Sequence, residues 1–173
     1  VISDAMVEVE PNDDSMTATT WDPTLRAQGD VGNDDTDSDW YVFTVPANIG
    51  PEDVIEFTFS ASEENPQFNI DATNSINIDV YDSMAMTSLA STSGFSYPKT
   101  TTVGPGLVAG ANHYVEVSRT STSASFTGRY FLEAEVKAGP TPLAGAETCM
   151  AATPITMSGD YTGSTTGFVD DYN

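Results

Sequence analysis

Apolar and polar residues alternate along most of the chain between residues 40 and 137. The apolar positions fall into five groups: Tyr41, Phe43 and Val45; Ile55, Phe57 and Phe59; Ile76, Ile78 and Val80; His113, Val115 and Val117; and Tyr130, Leu132, Ala134 and Val136. A period of two predicts strands that bury one face. Turn residues such as Pro46 and Gly104-Pro105-Gly106 separate the groups, and no run has helical spacing. The pattern therefore predicts an all-β sandwich.

The predicted organisation has four parts. Residues 1–6 form an N-terminal arm, 7–137 the sandwich, and 138–145 a linker rich in proline and glycine. Residues 146–173 weakly repeat the order of features near the N-terminus, so they are interpreted as the start of a second, truncated module or as an extended tail strand.

Carboxylates concentrate in two segments that precede the first long strand. Between Glu8 and Asp39 there are ten Asp and Glu residues and one basic residue, Arg26. The net charge of the 173-residue chain is -21. This balance argues against binding to nucleic acid or to anionic membranes, because both need a basic surface. It suits an extracellular or cell-surface setting, where salt screens the self-repulsion.

So many like charges must either spread into solvent or share a cation. Carboxylates, an asparagine amide and loop carbonyls are the donors that calcium prefers. The run Asp35-x-Asp37-x-Asp39 begins like an EF-hand loop, but Trp40 stands at the position of the glycine and Pro46 at that of the final glutamate. We therefore expect a calcium site built from two segments; the alternative is an acidic turn that hydrogen-bonds its own backbone.

The order of these motifs resembles the bacterial pre-peptidase C-terminal domain, whose relatives include the collagen-binding domains of clostridial collagenases. The resemblance rests on Glu8-x-Glu10-Pro11-Asn12-Asp13-Asp14-Ser15, Gly29-Asp30-Val31, Asp37-x-Asp39-Trp40-Tyr41, Gly110-x-x-His113-Tyr114-Val115 and Gly128-x-Tyr130-x-Leu132. It covers roughly residues 7–137. It implies a jelly-roll-like antiparallel β-sandwich that serves as a secreted accessory module.

The resemblance also implies a set of calcium ligands, since the two acidic segments bind calcium together in the collagen-binding relatives. Carried over by position, the candidate ligands are Glu8, Glu10, Asn12, Asp13, Asp37 and Asp39. Asp34 and Asp35 correspond less closely. No collagen specificity is carried over, because the collagen-binding surface of those relatives has no counterpart that can be placed on this sequence.

Catalysis has little support in the sequence. His113 falls on the apolar face of a predicted strand, which is typical of a core histidine, and Cys149 follows the linker as a single thiol. No nucleophile elbow, zinc-protease motif or phosphate loop is present, and one Cys with one His cannot complete a zinc site made of Cys and His ligands. The aromatic residues Trp21, Trp40, Phe95 and Tyr97 either form a ligand-facing patch or pack half-buried at the ends of the sandwich.

The function that the sequence favours is a non-catalytic, calcium-stabilised module of a secreted or cell-surface bacterial protein, used for adhesion or substrate targeting. Its partners would be a protein or polysaccharide ligand or copies of itself, with no nucleic acid and no membrane insertion. The alternative is a structural subunit of an extracellular filament, assembled by strand addition from a terminal segment.

Overall fold

The computed structural model describes residues 5–31, 37–61, 76–94, 98–119, 128–139, 141–142 and 161–162. The described strands are β1 (Met6–Val7), β2 (Thr19–Trp21), β3 (Ala27–Val31), β4 (Ser38–Thr44), β5 (Val54–Ala61), β6 (Ile76–Tyr81), β7 (Ser88–Thr92), β8 (Lys99–Val103), β9 (Asn112–Arg119), β10 (Gly128–Lys137), β11 (Thr141–Pro142) and β12 (Tyr161–Thr162).

Ten of these strands form two packed sheets of five strands each. The first sheet has the order β1-β3-β10-β5-β8, and the second has the order β2-β4-β9-β6-β7. The prediction of an all-β sandwich is confirmed. The described residues include no helix long and apolar enough to cross a membrane.

Each sheet is antiparallel except for one pair at its N-terminal edge. Strand β1 runs parallel to β3 in the first sheet, and β2 runs parallel to β4 in the second. Parallel neighbours need a crossover connection. The chain makes these crossovers by alternating between the sheets. Strand β2 of the second sheet comes between β1 and β3 in the sequence, and β3 of the first sheet comes between β2 and β4.

The core lies between the sheets and contains the alternating apolar positions of both. Phe57 and Phe59 of β5 are fully buried, as are Ile76, Ile78 and Val80 of β6. Trp21 is 2% exposed and packs against three rings, with centroid distances of 6.0 Å to Tyr41, 6.2 Å to Phe43 and 6.0 Å to Phe57. Neither expectation for Trp21, a ligand-facing patch or half-buried packing at an end of the sandwich, is right, because its ring is buried in the core.

Four strands of the sandwich have too little apolar alternation to be predicted from the sequence. Strands β3 and β8 carry glycine, threonine and lysine at several positions, and β2 and β7 are short. Lys99 of β8 is buried, and its ammonium donates to the backbone oxygens of Ile76 and Gly94. These segments therefore become strands because their backbones pair with neighbouring strands, several of which have the apolar alternation.

The predicted linker and second module lie mostly outside the described residues. Of the part that is described, β11 pairs in parallel with β12 in a separate two-stranded sheet. The domain boundaries after residue 137 stay predictions.

Candidate metal centre

One segment that follows an edge strand and one inner strand bring acidic residues together at one end of the core. Glu8 directly follows β1, and its backbone N–H donates to the backbone oxygen of Gln28 in β3 at 3.0 Å. Asp39 occupies the first inward-facing position of β4, one alternation before Tyr41. Because successive side chains of a strand point to opposite faces, β4 directs this carboxylate into the sandwich rather than into water.

Glu8, Glu10 and Asp39 form one cluster. Each offers a carboxylate oxygen, and these oxygens all lie within 4.8 Å of one another. Asp39 is 1% exposed, whereas Glu8 is half-buried and Glu10 is exposed. The cluster thus extends from the end of the core to the surface, with its most buried charge innermost.

Two tyrosines of the core connect the buried carboxylates. The hydroxyl of Tyr130 donates to Asp39 Oδ2 at 2.5 Å and lies 2.7 Å from the hydroxyl of Tyr41. Tyr41 in turn donates to Glu8 Oε2 at 3.1 Å, and the backbone N–H of Asp30 donates to Glu8 Oε1 at 2.7 Å. These bonds orient Glu8 and Asp39 from inside the protein.

Gly29 gives this network the room that it needs. A Cβ atom at position 29 would lie 2.3 Å from the Tyr130 hydroxyl and 2.6 Å from Glu8 Oε2. Any side chain there would displace both groups. Glycine is therefore required by the close approach of the β3 backbone to the tyrosine and the glutamate.

Burial and mutual repulsion shift the pKa values of the clustered acids. Loss of solvent raises the pKa of Asp39 to about 9, and the nearby charges of Glu8, Asp37 and Glu10 add to that rise. Burial also raises the pKa of Glu8, with a further contribution from the charge of Glu10. Without a cation, Asp39 therefore holds a proton at neutral pH.

Within the described part of the chain, two oxygens at this end of the sandwich are buried without a hydrogen-bond partner. They are Asp39 Oδ1 and Asn12 Oδ1, and the Asn12 residue is 0% exposed. The backbone oxygen of Asn12 accepts from the N–H of Trp40 at 2.9 Å, and its backbone N–H donates to Glu10 Oε2 at 3.1 Å. Buried oxygens are rarely left unsatisfied, so this pair indicates a missing donor or ion.

The acidic residues predicted as ligands thus have different positions. Glu8, Glu10 and Asp39 meet in the cluster, and Asn12 is hydrogen-bonded to Glu10. Asp37 is half-buried, and its charge contributes to the raised pKa of Asp39. Asp13 is exposed and does not belong to the three-carboxylate group.

Other residues named from the sequence lie away from the cluster or outside the described residues. His113 is buried, with Nδ1 3.1 Å from the backbone oxygen of Tyr81, as expected for a core histidine. The positions that lie outside the described residues are Asp34, Asp35, Phe95, Tyr97 and Cys149.

Sequence reasoning missed the parts of the site that are not acidic. Tyr41 and Tyr130 were assigned to the core from their alternation, without a role for their hydroxyls. A tyrosine among inward-facing apolar residues needs a buried hydrogen-bond partner, and this was the available signal. Thr19 was also missed; its hydroxyl accepts from the N–H of Val9 at 3.1 Å and from Asn12 Nδ2 at 3.4 Å.

The donor set fits a hard cation. The converging groups are the three carboxylates of Glu8, Glu10 and Asp39, and calcium binds six to eight oxygen ligands in flexible geometry. The alternative is a set of shared protons, which the raised pKa of Asp39 makes possible at neutral pH.

Comparisons with known proteins give no family assignment. The sequence matches no protein-family model, and no curated protein matches it.

Proposed function

We propose that this chain is a non-catalytic β-sandwich module that binds one calcium ion through Glu8, Glu10 and Asp39. The observation that carries the proposal is the buried Asp39 carboxylate, which has one unpartnered oxygen and lies beside two further carboxylates. The resemblance of the two acidic segments to the pre-peptidase C-terminal domain supports the same conclusion.

The electrostatic reason for a cation is the closeness of the three acids. Two unit charges 4.8 Å apart repel by about 3–4 kcal/mol at the effective dielectric constant that suits protein sites. A divalent ion converts this repulsion into attraction and ionises Asp39 in place of its proton. Asn12 and Asp37 would supply further oxygens from the segments that adjoin the cluster.

The ion would connect the N-terminal segment to the body of the sandwich. Glu8 and Glu10 belong to a segment that, in its described part, joins the first sheet through two register pairs, Met6 with Ala27 and Val7 with Gln28. Asp39 belongs to a central strand of the second sheet. Calcium would therefore link the two sheets at their open end, as a structural ion and not as a catalytic one.

We further propose that the module acts outside the cell or on its surface, in adhesion or substrate targeting, with a protein or polysaccharide ligand or copies of itself as partner. The net charge of -21 supports this setting, because salt outside the cell screens the self-repulsion. Extracellular calcium is also abundant enough to fill a site of modest affinity.

Thermal unfolding with and without calcium tests the proposal. Calcium at a hundred times its dissociation constant should add about 2.7 kcal/mol to the free energy of unfolding, and a chelator should remove that gain. Asp39→Asn should abolish the calcium effect. Glu133→Gln, which removes an exposed carboxylate from β10, is the matched control and should keep it. Equal melting temperatures in calcium and chelator at low salt would refute the metal site.

A second candidate function is a filament subunit assembled by strand addition. The observation that favours it is an open groove of about 560 Å³ beside β1, an edge strand of the first sheet. Val7 and Val9 at this edge are 58% and 68% exposed. Unpaired edges accept added strands. Gel filtration and electron microscopy distinguish the two: polymers support the filament, and a monodisperse monomer supports the module.

A further inference from the structure

The outer face of the second sheet carries an ordered group of aromatic rings, which we call the platform and define as Trp40, Tyr81 and Tyr114. Trp40 stacks on Tyr81 with a centroid distance of 5.0 Å and an interplanar angle of 24°. Tyr114 meets Trp40 edge-on at 6.4 Å. All three residues are partly exposed, on strands β4, β6 and β9. The rings therefore form a contiguous, partly exposed aromatic cluster across three adjacent strands.

Two carboxylates are set into this surface. Glu116 pairs directly with Trp40 on one side and with Asp79 on the other, in the registers of β9 with β4 and β6. Glu116 Oε1 accepts from the hydroxyl of Ser38 at 3.0 Å, and Oε2 accepts from that of Tyr81 at 2.8 Å. These bonds fix the Glu116 charge beside the rings.

The pairing of Glu116 with Asp79 has a cost. Like charges directly opposite each other on neighbouring strands destabilise a sheet. Burial, the hydrogen bond to Glu116 and the charges of Glu116 and Asp79 together raise the pKa of Tyr81. Both carboxylates therefore interact electrostatically with the Tyr81 side chain. A positive group bound here would relieve the repulsion.

The basic residues of the chain lie elsewhere. Its five Lys and Arg are Arg26, Lys99, Arg119, Arg129 and Lys137. Four of them belong to the first sheet or the loop before β3, and Lys99 among these is buried. Arg119 belongs to the second sheet and alternates to the face of β9 opposite Glu116. The described Lys and Arg residues therefore lie away from the carboxylates of the platform face, and a cation bound there would come from another molecule.

A cation–π contact in the first sheet provides an example of arginine binding to an aromatic ring in this protein. The guanidinium of Arg26 lies over the ring of Phe131, 3.7 Å from its centroid. Arginine stacks on aromatic faces and also presents a planar fork of donors to carboxylates. The platform combines both acceptors, since tryptophan is the best cation–π partner and two carboxylates adjoin it.

From this charge and ring complementarity we propose that the platform is a docking surface for an arginine-bearing segment of a partner protein. The guanidinium stacks on the Trp40 and Tyr81 surface and bonds Asp79 and Glu116. The side chains of the platform lie on the face of β4 opposite Asp39, so the peptide titration tests this proposal whatever the outcome of the calcium experiments.

The test is a titration of the full chain, at physiological salt and with calcium present, with a short blocked peptide containing two arginines. The same peptide with citrulline, which is neutral and similar in shape, is the comparison. Because Trp21 is buried, tryptophan emission changes report on Trp40. We expect binding of the arginine peptide, with loss of about tenfold or more in affinity for citrulline and for Glu116→Gln.

Glu133→Gln removes the same charge from the other sheet and should leave the affinity unchanged. Trp40→Leu should weaken binding; if it does not fold, Trp40→Phe should show an intermediate affinity. If Glu116→Gln and Glu133→Gln lose equal affinity for the arginine peptide, net charge alone explains the binding, and the proposal is overturned. Equal binding of the citrulline peptide, or binding of a neutral oligosaccharide in place of the arginine peptide, would overturn it as well.

Discussion

The hydroxyl of Tyr130 offers the sharpest test of how the buried acids are held. It donates to Asp39 Oδ2 at 2.5 Å and lies 2.7 Å from the Tyr41 hydroxyl, and Tyr130 is fully buried. Tyr130→Phe removes one oxygen and leaves the ring, which stacks on Phe59 at 4.9 Å. The substitution therefore isolates the hydrogen bonds from the packing.

The expected effect has two parts. Without calcium, a buried carboxyl oxygen and the Tyr41 hydroxyl lose their common partner, which should lower the free energy of unfolding by about 1–3 kcal/mol. With calcium, Asp39 loses the group that orients it as a ligand, and such outer contacts are typically worth about 10–100-fold in metal affinity.

The assays are urea unfolding in chelator and calorimetric titration with calcium. Tyr81→Phe is the control, because it also removes a hydroxyl that donates to a carboxylate, but at a half-exposed site away from the cluster. We expect it to cost less than about 1 kcal/mol and to leave calcium affinity unchanged. If Tyr130→Phe behaves like Tyr81→Phe in both assays, the buried network does not orient the site.

Three further predictions follow from the same structure. Gly29→Ala should lower the free energy of unfolding by about 1–3 kcal/mol and weaken calcium binding, as seen by urea melts and titration, since its Cβ would meet Tyr130 and Glu8; an unchanged calcium affinity would contradict this. In chelator, between pH 3.8 and about 9, the folded state keeps a proton on Asp39 that the unfolded chain releases. The free energy of unfolding should therefore fall as pH rises through this range, by up to about 1.4 kcal/mol per pH unit. In a pH series of melts, Asp39→Asn should flatten that slope. Phe57→Ala should cost about 3–5 kcal/mol in denaturant unfolding, whereas Val9→Ala at an exposed site should be nearly neutral; similar costs would argue against the core described.

The sequence predicted the parts of the fold in which burial and alternation coincide. Strands β4, β5, β6, β9 and β10 have apolar residues at most alternate positions, and nearly all of these residues line the core, although Val136 at the end of β10 is exposed. Strand β8 has Lys99 and Thr101 at its inward positions, so alternation of hydrophobicity gives no signal. Such strands form because their neighbours offer backbone pairing, which is a property of the whole sheet.

The site was predictable to the extent that charge density reveals it. Like charges cannot gather without compensation, so charge density indicates the two acidic segments. The resemblance to the pre-peptidase C-terminal domain then gave Glu8, Glu10 and Asp39 among six candidate ligands. Their convergence depends on a long-range property, the parallel pairing of β1 with β3 and of β2 with β4. The tyrosine hydroxyls, and the glycine that makes room for them, follow from that three-dimensional arrangement and from no local pattern.

A crystal structure of the chain grown in calcium measures the central claim most directly. The account predicts a cation about 2.3–2.6 Å from carboxylate oxygens of Glu8, Glu10 and Asp39, with anomalous signal at its position and the unpartnered Asp39 oxygen among its ligands. A structure at saturating calcium in which these three carboxylates bond only to water and tyrosine hydroxyls, with no ion between them, would contradict it.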